Sequence, residues 1–298
     1  IYLFRYQKET KMEKHRMNLL SKRIYLFYFS ILAIVISVLL LFLPGLPLGI
    51  DFTSGSTITY RWNDQSPSQD QISESIKNAG FETSIIQSMG NKEFFIRTSD
   101  VGPDGKERID AELTNLIGEA PVTMDVNTVG SSVADNTIRN SIIAVFIASL
   151  FVMLYIIYAF RNVEQSYVYA VAAILTLVHD VLVVMGLFII FSLFIGSVVN
   201  SIFIVGILTV IGYSVNDTIV IFDRIRENLI VNKSMEFMNV VNQSVRESIT
   251  RSIGTSVTTS IVILSMILFG GQSLRDFLLV LLLGVIIGTY SSIFVASN

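Results

Sequence analysis

The sequence predicts an α-helical polytopic membrane protein, with six transmembrane helices and one small α+β domain outside the bilayer. Three observations predict this. Of 298 residues, 52% are hydrophobic and 15% charged, and the mean hydropathy is +0.62, too apolar for an ordinary soluble domain. The apolar residues gather into six runs of about twenty, the length that crosses a hydrocarbon core of about 30 Å. Between the first two runs, residues 51–135 have a soluble composition with fourteen acids against six bases. Cysteine is absent, which excludes disulfides and thiolate chemistry. His15 and His179 are the only histidines, so zinc-ligand spacings are missing and no metal or cofactor is expected.

Residues 1–23 carry seven bases against Glu9 and Glu13. They read as a basic cytoplasmic segment, either a solvated tail or a collar held against anionic membrane lipid. Residues 24–43 lack charge and form the first membrane helix, running outward from the basic side. PGLPLGIDF at 44–52 offers no small-residue cleavage site, so the helix is expected to be retained.

The extracytoplasmic domain, 49–135, reads as a strand at 56–62, a helix at 68–80, strands near 84–88 and 93–98, a helix at 108–118 and a strand at 122–129. Ile72, Ile76 and Ala79 recur at helical spacing, as do Ile109, Leu113, Leu116 and Ile117, so each helix shows one apolar stripe to a sheet. The order βαββαβ is that of a ferredoxin-like split βαβ sandwich. Gly80 reads as a helix C-cap and GPDG at 102–105 as a turn. Its carboxylates spread along helix faces and turns and read as a solvated acidic surface.

The remaining spans are 138–161, 166–191, 198–222, 248–270 and 276–297, with a cytoplasmic loop at 223–247. RNVEQS at 161–166 and SLFIGS at 192–197 are short enough for hairpins. Arg161, Arg224, Arg226, Lys233 and Arg246 then all fall on the cytoplasmic side, with both termini. Arg275, in the outer hairpin GGQSLRD at 270–276, is balanced by Asp276. Gly284, Gly288, Ser292 and Ala296 form a small-residue ridge suited to helix packing, and Gly206 and Gly212 either do likewise or loosen the helix near Asp217.

The chain is organised around GYSVNDTIVIFDRIREN at 212–228, where Asn216 and Asp217 lie inside an apolar run. A charge at the centre of a membrane helix costs about 2.5–3.5 kcal/mol on insertion scales and marks a functional position. Thr176, His179 and Asp180 share one face of the third span; Tyr213, Asn216 and Asp217 share one of the fourth; Arg251, Thr255, Thr258 and Thr259 share one of the fifth. Each stripe is expected to point inward. Asp217 lies six residues before Asp223, about 9 Å along the helix, a depth that Arg251 can reach from the same boundary. A static ion pair is one reading. A proton relay is the sharper one, because a carboxylate that trades desolvation against a nearby arginine gains or loses a proton when their distance changes. His179 is either a second station or a histidine bonded to a neighbour's backbone. An intramembrane aspartyl protease using Asp180 and Asp217 would need a G-x-G-D setting, which is missing.

GYSVNDTIVIFDRIREN closely resembles the fourth-helix signature of the SecF family. GIDFTSGS at 49–56, VHD at 178–180, SITRSIGTSVTTS at 248–260, LFGG at 268–271 and GTYSSIFVAS at 288–297 agree with it. The resemblance implies a half bundle like that of the RND transporters, pairing pseudo-symmetrically with six helices of SecD in the bacterial cytoplasmic membrane. It implies use of the proton-motive force, with no chemical catalysis, to complete export of unfolded secretory polypeptides after SecA has pushed them. The implied partners are SecD, separate or fused, and the SecYEG translocon, with YajC and YidC as further candidates and no nucleic acid. Asp217 and Arg251 stand where the family's proton-pathway pair stands; Asp180, His179, Asn216 and Thr255 are carried as further candidates. Ser54 departs from the family's GIDFTGG, and the chain opens at Ile1 rather than Met, leaving a free subunit or the latter half of a fused chain. An RND-like exporter of lipid or small molecules and a structural translocon scaffold are the competing classes.

Overall fold

The computed structural model describes residues 23–161, 166–271 and 274–297, so the basic segment 1–22 and the centres of the RNVEQS and GGQSLRD hairpins lie outside the described residues. The chain divides into two compact units, one of residues 47–144 with 198–204, the other of the remaining helices.

The first unit contains helix α2 (Ile50–Thr53), β1 (Gly55–Arg61), α3 (Gln69–Asn78), β2 (Thr83–Gly90), β3 (Glu93–Thr98), α4 (Gly102–Ile117) and β4 (Val122–Val129). The four strands form an antiparallel sheet in the order β2-β3-β1-β4, the order of the ferredoxin-like sandwich. Alternation drives it: Ile58 and Tyr60 on β1 and Phe94 and Ile96 on β3 are buried against Ile72 and Ile76 of α3 and Ile109 and Leu113 of α4. Ser68 and Gln71 cap α3 reciprocally, and Gly80, at φ 90°, follows its last turn.

The GPDG stretch is the first turn of α4 and not a connecting turn. Pro103 is tolerated there because the first helical amides need no intrahelical partner. Gly105 lets the ring of Phe81 approach, since a Cβ would lie 2.6 Å from its Cζ.

Around GIDFTSG the backbone is pinned closely. Val199 donates to the Pro47 carbonyl and Gly49 to the Val199 carbonyl, at 2.8 and 2.7 Å. Asp51 accepts from the amide of Ser201 at 2.7 Å, and Arg97 reaches the Leu48 carbonyl at 2.6 Å and the Thr53 hydroxyl. Burial lowers the pKa of the Arg97 guanidinium. Gly55 has φ 117°, and a Cβ there would stand 2.7 Å from the Thr98 carbonyl oxygen. Ser54 has φ 59° and ψ 172°, a region kept almost entirely for glycine.

Six helices are long and apolar enough to cross a membrane: α1 (Arg23–Phe42), α5 (Ser131–Ala159), α6 (Ser166–Ile195), α7 (Ser201–Val231), α8 (Phe237–Phe269) and α9 (Arg275–Phe294). In their most apolar stretches α6, α7 and α9 are 50, 50 and 56% buried, against 11, 6 and 17% for α1, α5 and α8. The former are the inner helices and the latter present apolar side chains outward. Small residues permit the inner contacts: a Cβ on Gly284 of α9 would lie 2.0 Å from Val210 of α7, and one on Gly288 3.1 Å from Ser214.

The stretch 223–247, read as a loop, is largely helical. α7 continues to Val231 and α8 begins at Phe237. The apolar period persists through buried Ile221 and Ile225, and Asp223–Arg226 and Arg224–Glu227 form i,i+3 ion pairs at 3.0 and 2.6 Å.

Candidate functional site

Two carboxylates are buried among the inner helices. Asp180 on α6 is 1% exposed and Asp217 on α7 is 5% exposed. Neither can face hydrocarbon uncompensated, so their partners decide what each can do.

Asp180 is fully engaged. One carboxylate oxygen meets Nδ1 of His179 at 2.9 Å; the other accepts from Ser291 of α9 at 2.8 Å and from Ser214 of α7. His179 is buried, and its Nε2 has no hydrogen-bond partner among the described residues. Thr176, on the same face of α6, is buried and donates to the Ala172 carbonyl at 2.8 Å.

Asp217 is held more lightly. Thr289 of α9 donates to it at 3.4 Å, and the buried Ser252 hydroxyl of α8 has no hydrogen-bond partner among the described residues. Thr289 meets Ser256 at 2.5 Å, and Ser256 meets the Tyr213 hydroxyl at 3.2 Å. A chain of hydroxyls therefore runs from Tyr213 through Ser256 and Thr289 to Asp217. Arg251 acts on Asp217 electrostatically, but no ion pair within 4.0 Å joins them among the described residues.

The polar stripe expected to point inward from the fifth span does not do so within this chain. Arg251, Thr255 and Thr258 are exposed, as is Asn216 on α7. The buried face of α8 is Ser248, Ser252 and Ser256, one residue round the helix. Serine is small enough for close helix approach and still leaves a hydroxyl to satisfy. Thr255 spends its hydroxyl on the carbonyls of Ser252 and Arg251, at 2.9 and 3.1 Å. Of the packing residues, Gly284 and Gly288 lie at helix contacts; Ser292 also bonds Thr218 at 2.9 Å.

Ser214, Ser252, Ser256, Thr289 and Ser291 are the site residues that sequence reasoning missed. Their signal was the four-residue recurrence of serines from 248 to 256 and the TYSS run at 289–292, both of which also read as packing.

Residues 109–298 match the family described as protein export membrane protein SecD/SecF, C-terminal, and residues 39–61 match the SecD/SecF GG motif. The chain is 34% identical over 283 residues to the protein translocase subunit SecF of Anaerolinea thermophila, covering 94% of this chain and 92% of that protein. It is also 34% identical to the protein translocase subunit SecDF of Bacillus subtilis, covering 93% of this chain and 37% of that one. Its fold is similar to the crystal structure of SecDF, a translocon-associated membrane protein, from Thermus thermophilus. The TM-score is 0.81 at 29% identity, with 95% of this chain and 38% of that chain covered.

Proposed function

This chain belongs to the SecD/SecF family of protein-export membrane proteins and to its SecF branch, and from that premise we propose that it works as an auxiliary subunit of the Sec translocase. In this reading it pairs with a SecD subunit in the bacterial cell membrane and uses the proton-motive force to promote late steps of protein export. Both termini and the α7–α8 turn then lie in the cytoplasm and the sheet domain outside. Proton movement and conformational change, not chemical catalysis, are its work.

The observation that carries the reading is Asp217: a carboxylate buried in the fourth membrane helix, lightly hydrogen-bonded, and without an ion pair to Arg251 among the described residues. Such a group can change its proton and its partner together, and one charge crossing 100 mV supplies about 2.3 kcal/mol. Engaged on three sides, Asp180 is better placed to hold α6, α7 and α9 together than to exchange a proton at every cycle.

The exposed face bearing Asn216, Arg251, Thr255 and Thr258 supports SecD as the covering partner. Arginine and threonines facing acyl chains are costly, whereas a second helical half bundle would pair with them. SecYEG, SecA, YajC, YidC and the unfolded polypeptide follow from the family and have no counterpart in the geometry described.

The test is proton-dependent protein export in inverted membrane vesicles with SecD present. Asp217→Asn keeps shape and hydrogen bonding but cannot titrate; Arg251→Met removes the counter-ion. Loss of the stimulation by the proton gradient in both variants, with normal assembly, supports the relay. Survival of that stimulation in both would leave Asp217 as a structural group.

A further inference from the structure

Five residues from Ser252 along α8, Glu247 gathers hydrogen bonds from two helices. Its carboxylate accepts from Arg224 Nε at 2.5 Å and Asn228 Nδ2 at 2.8 Å, both on α7, and from Gln243 Nε2 at 2.8 Å on its own helix. Asn228 is buried and also donates to the buried Ser244 at 2.9 Å. Arg224 and Glu247 side chains are 37 and 31% exposed, so alone this pair would contribute little. A carboxylate with three donors, one of them buried, fixes geometry more firmly than an isolated surface pair.

Antiparallel pairing of α7 and α8 puts this cluster in line with the Asp217 site. Arg224 follows Asp217 by seven residues, two turns on the same face of α7. Arg251 follows Glu247 by four, one turn along α8, in the orientation that favours a Glu–Arg pair. Along the axis of the helix pair the order is Asp217, Arg251, Glu247, Arg224, alternating in sign, with Arg251 on the exposed face beside the seam. Only the last pair is closed among the described residues; Arg251 stands beyond 4.0 Å from both carboxylates. The other charged groups near Glu247 are Glu227, bonded to Arg224, Asp223 and Arg226, bonded to each other, and Arg246 on α8.

We infer that Glu247 is a positioning residue for the Asp217 site: it latches α8 to α7 and competes with Asp217 for Arg251. The inference rests on the reading of Asp217 as the proton site. With Arg224 on Glu247, Arg251 is left to Asp217; when Arg224 lets go, the freed carboxylate draws Arg251 away. The latch thereby couples the α7–α8 turn to the charge state of the buried aspartate.

The experiment uses the full chain with SecD in inverted vesicles and compares Glu247→Gln, Glu247→Asp and the reciprocal pair Arg224→Glu with Glu247→Arg. Proton-driven export is followed as a function of pH. Because the chain has no cysteine, spin labels on Val231→Cys and Phe237→Cys report the distance across the helix ends. Glu247→Gln is expected to cut the proton-driven component about fivefold or more, the lower end of an allosteric coupling, to move its pH profile and to broaden the label distance. Glu247→Asp is expected to restore both readouts; the reciprocal pair, which closes the latch but leaves no carboxylate beside Arg251, is expected to restore the label distance alone. An unmoved pH profile in Glu247→Gln, or a loss that neither variant restores, overturns the inference. Asp217→Asn run in parallel separates the two proposals: if it keeps the proton response, the site reading fails, and the latch stands or falls on the label distance alone.

Discussion

Ser291 of α9 donates a 2.8 Å hydrogen bond to Asp180 of α6, onto the oxygen that also accepts from Ser214 of α7. One carboxylate thus joins all three inner helices. Asp180→Ala would strand two buried hydroxyls and the His179 ring. Leaving a buried donor unsatisfied costs about 1–3 kcal/mol, so the variant should unfold at clearly lower temperature in detergent, with Asp180→Asn between it and the parent. An unchanged midpoint in Asp180→Ala would refute the tie.

Glycines on the two faces of the bundle should respond oppositely. Gly284→Ala drives a methyl into Val210 and should cost about 1–3 kcal/mol through overpacking. Gly254 has nothing within 4 Å of a Cβ and lies on the exposed face of Arg251. Gly254→Leu should leave the chain's own thermal stability intact and reduce the SecD recovered by co-purification. Equal recovery from parent and variant would place SecD elsewhere.

Ser54→Gly should stabilise the sheet domain. Ser54 holds φ 59° and ψ 172°, and strain of this kind costs about 1–3 kcal/mol. Thermal unfolding followed by the fluorescence of Trp62, the only tryptophan, should show a higher midpoint. A lower one would mean that the serine hydroxyl, which bonds the Thr53 carbonyl at 2.6 Å, outweighs the strain.

Tyr60 gives the domain an alkaline limit. Burial and its 2.5 Å hydrogen bond to Asp110 push the phenol's pKa well above its usual 10.0. Above pH 10 the unfolded chain releases this proton while the folded one keeps it, so stability present below pH 10 is lost as pH rises. Tyr60→Phe, though less stable at neutral pH, should show a shallower decline between pH 10 and 11.

The strand order and the membrane helices were legible in the sequence because alternation and long apolar runs are local signals. Glu93–Thr98 and Val122–Val129 have the same ends in both readings. The GPDG turn was misleading because proline and glycine also suit a first helical turn. The buried face of α8 was harder to read, since Ser252 and Thr255 are both small and polar and only tertiary packing chooses between them. Asp51 and Arg97 were hidden for another reason: their partners, Ser201 and Leu48, lie 150 and 49 residues away.

The unequal hydropathy of the six helices also bears on how the protein is made. α1 and α5 reach 2.7, whereas α7 and α8 reach only 1.8, and the shortfall comes from polar residues on the α7–α8 seam, such as Asp217, Ser252 and Ser256, together with Asn216, Thr255 and Thr258 on the exposed face. Each is long and apolar enough to span, but less favourable in lipid alone than α1 or α5 because its polar groups then lack partners. Biogenesis therefore favours their arrival together, as an antiparallel hairpin released from the insertion machinery only after α8 has been synthesised.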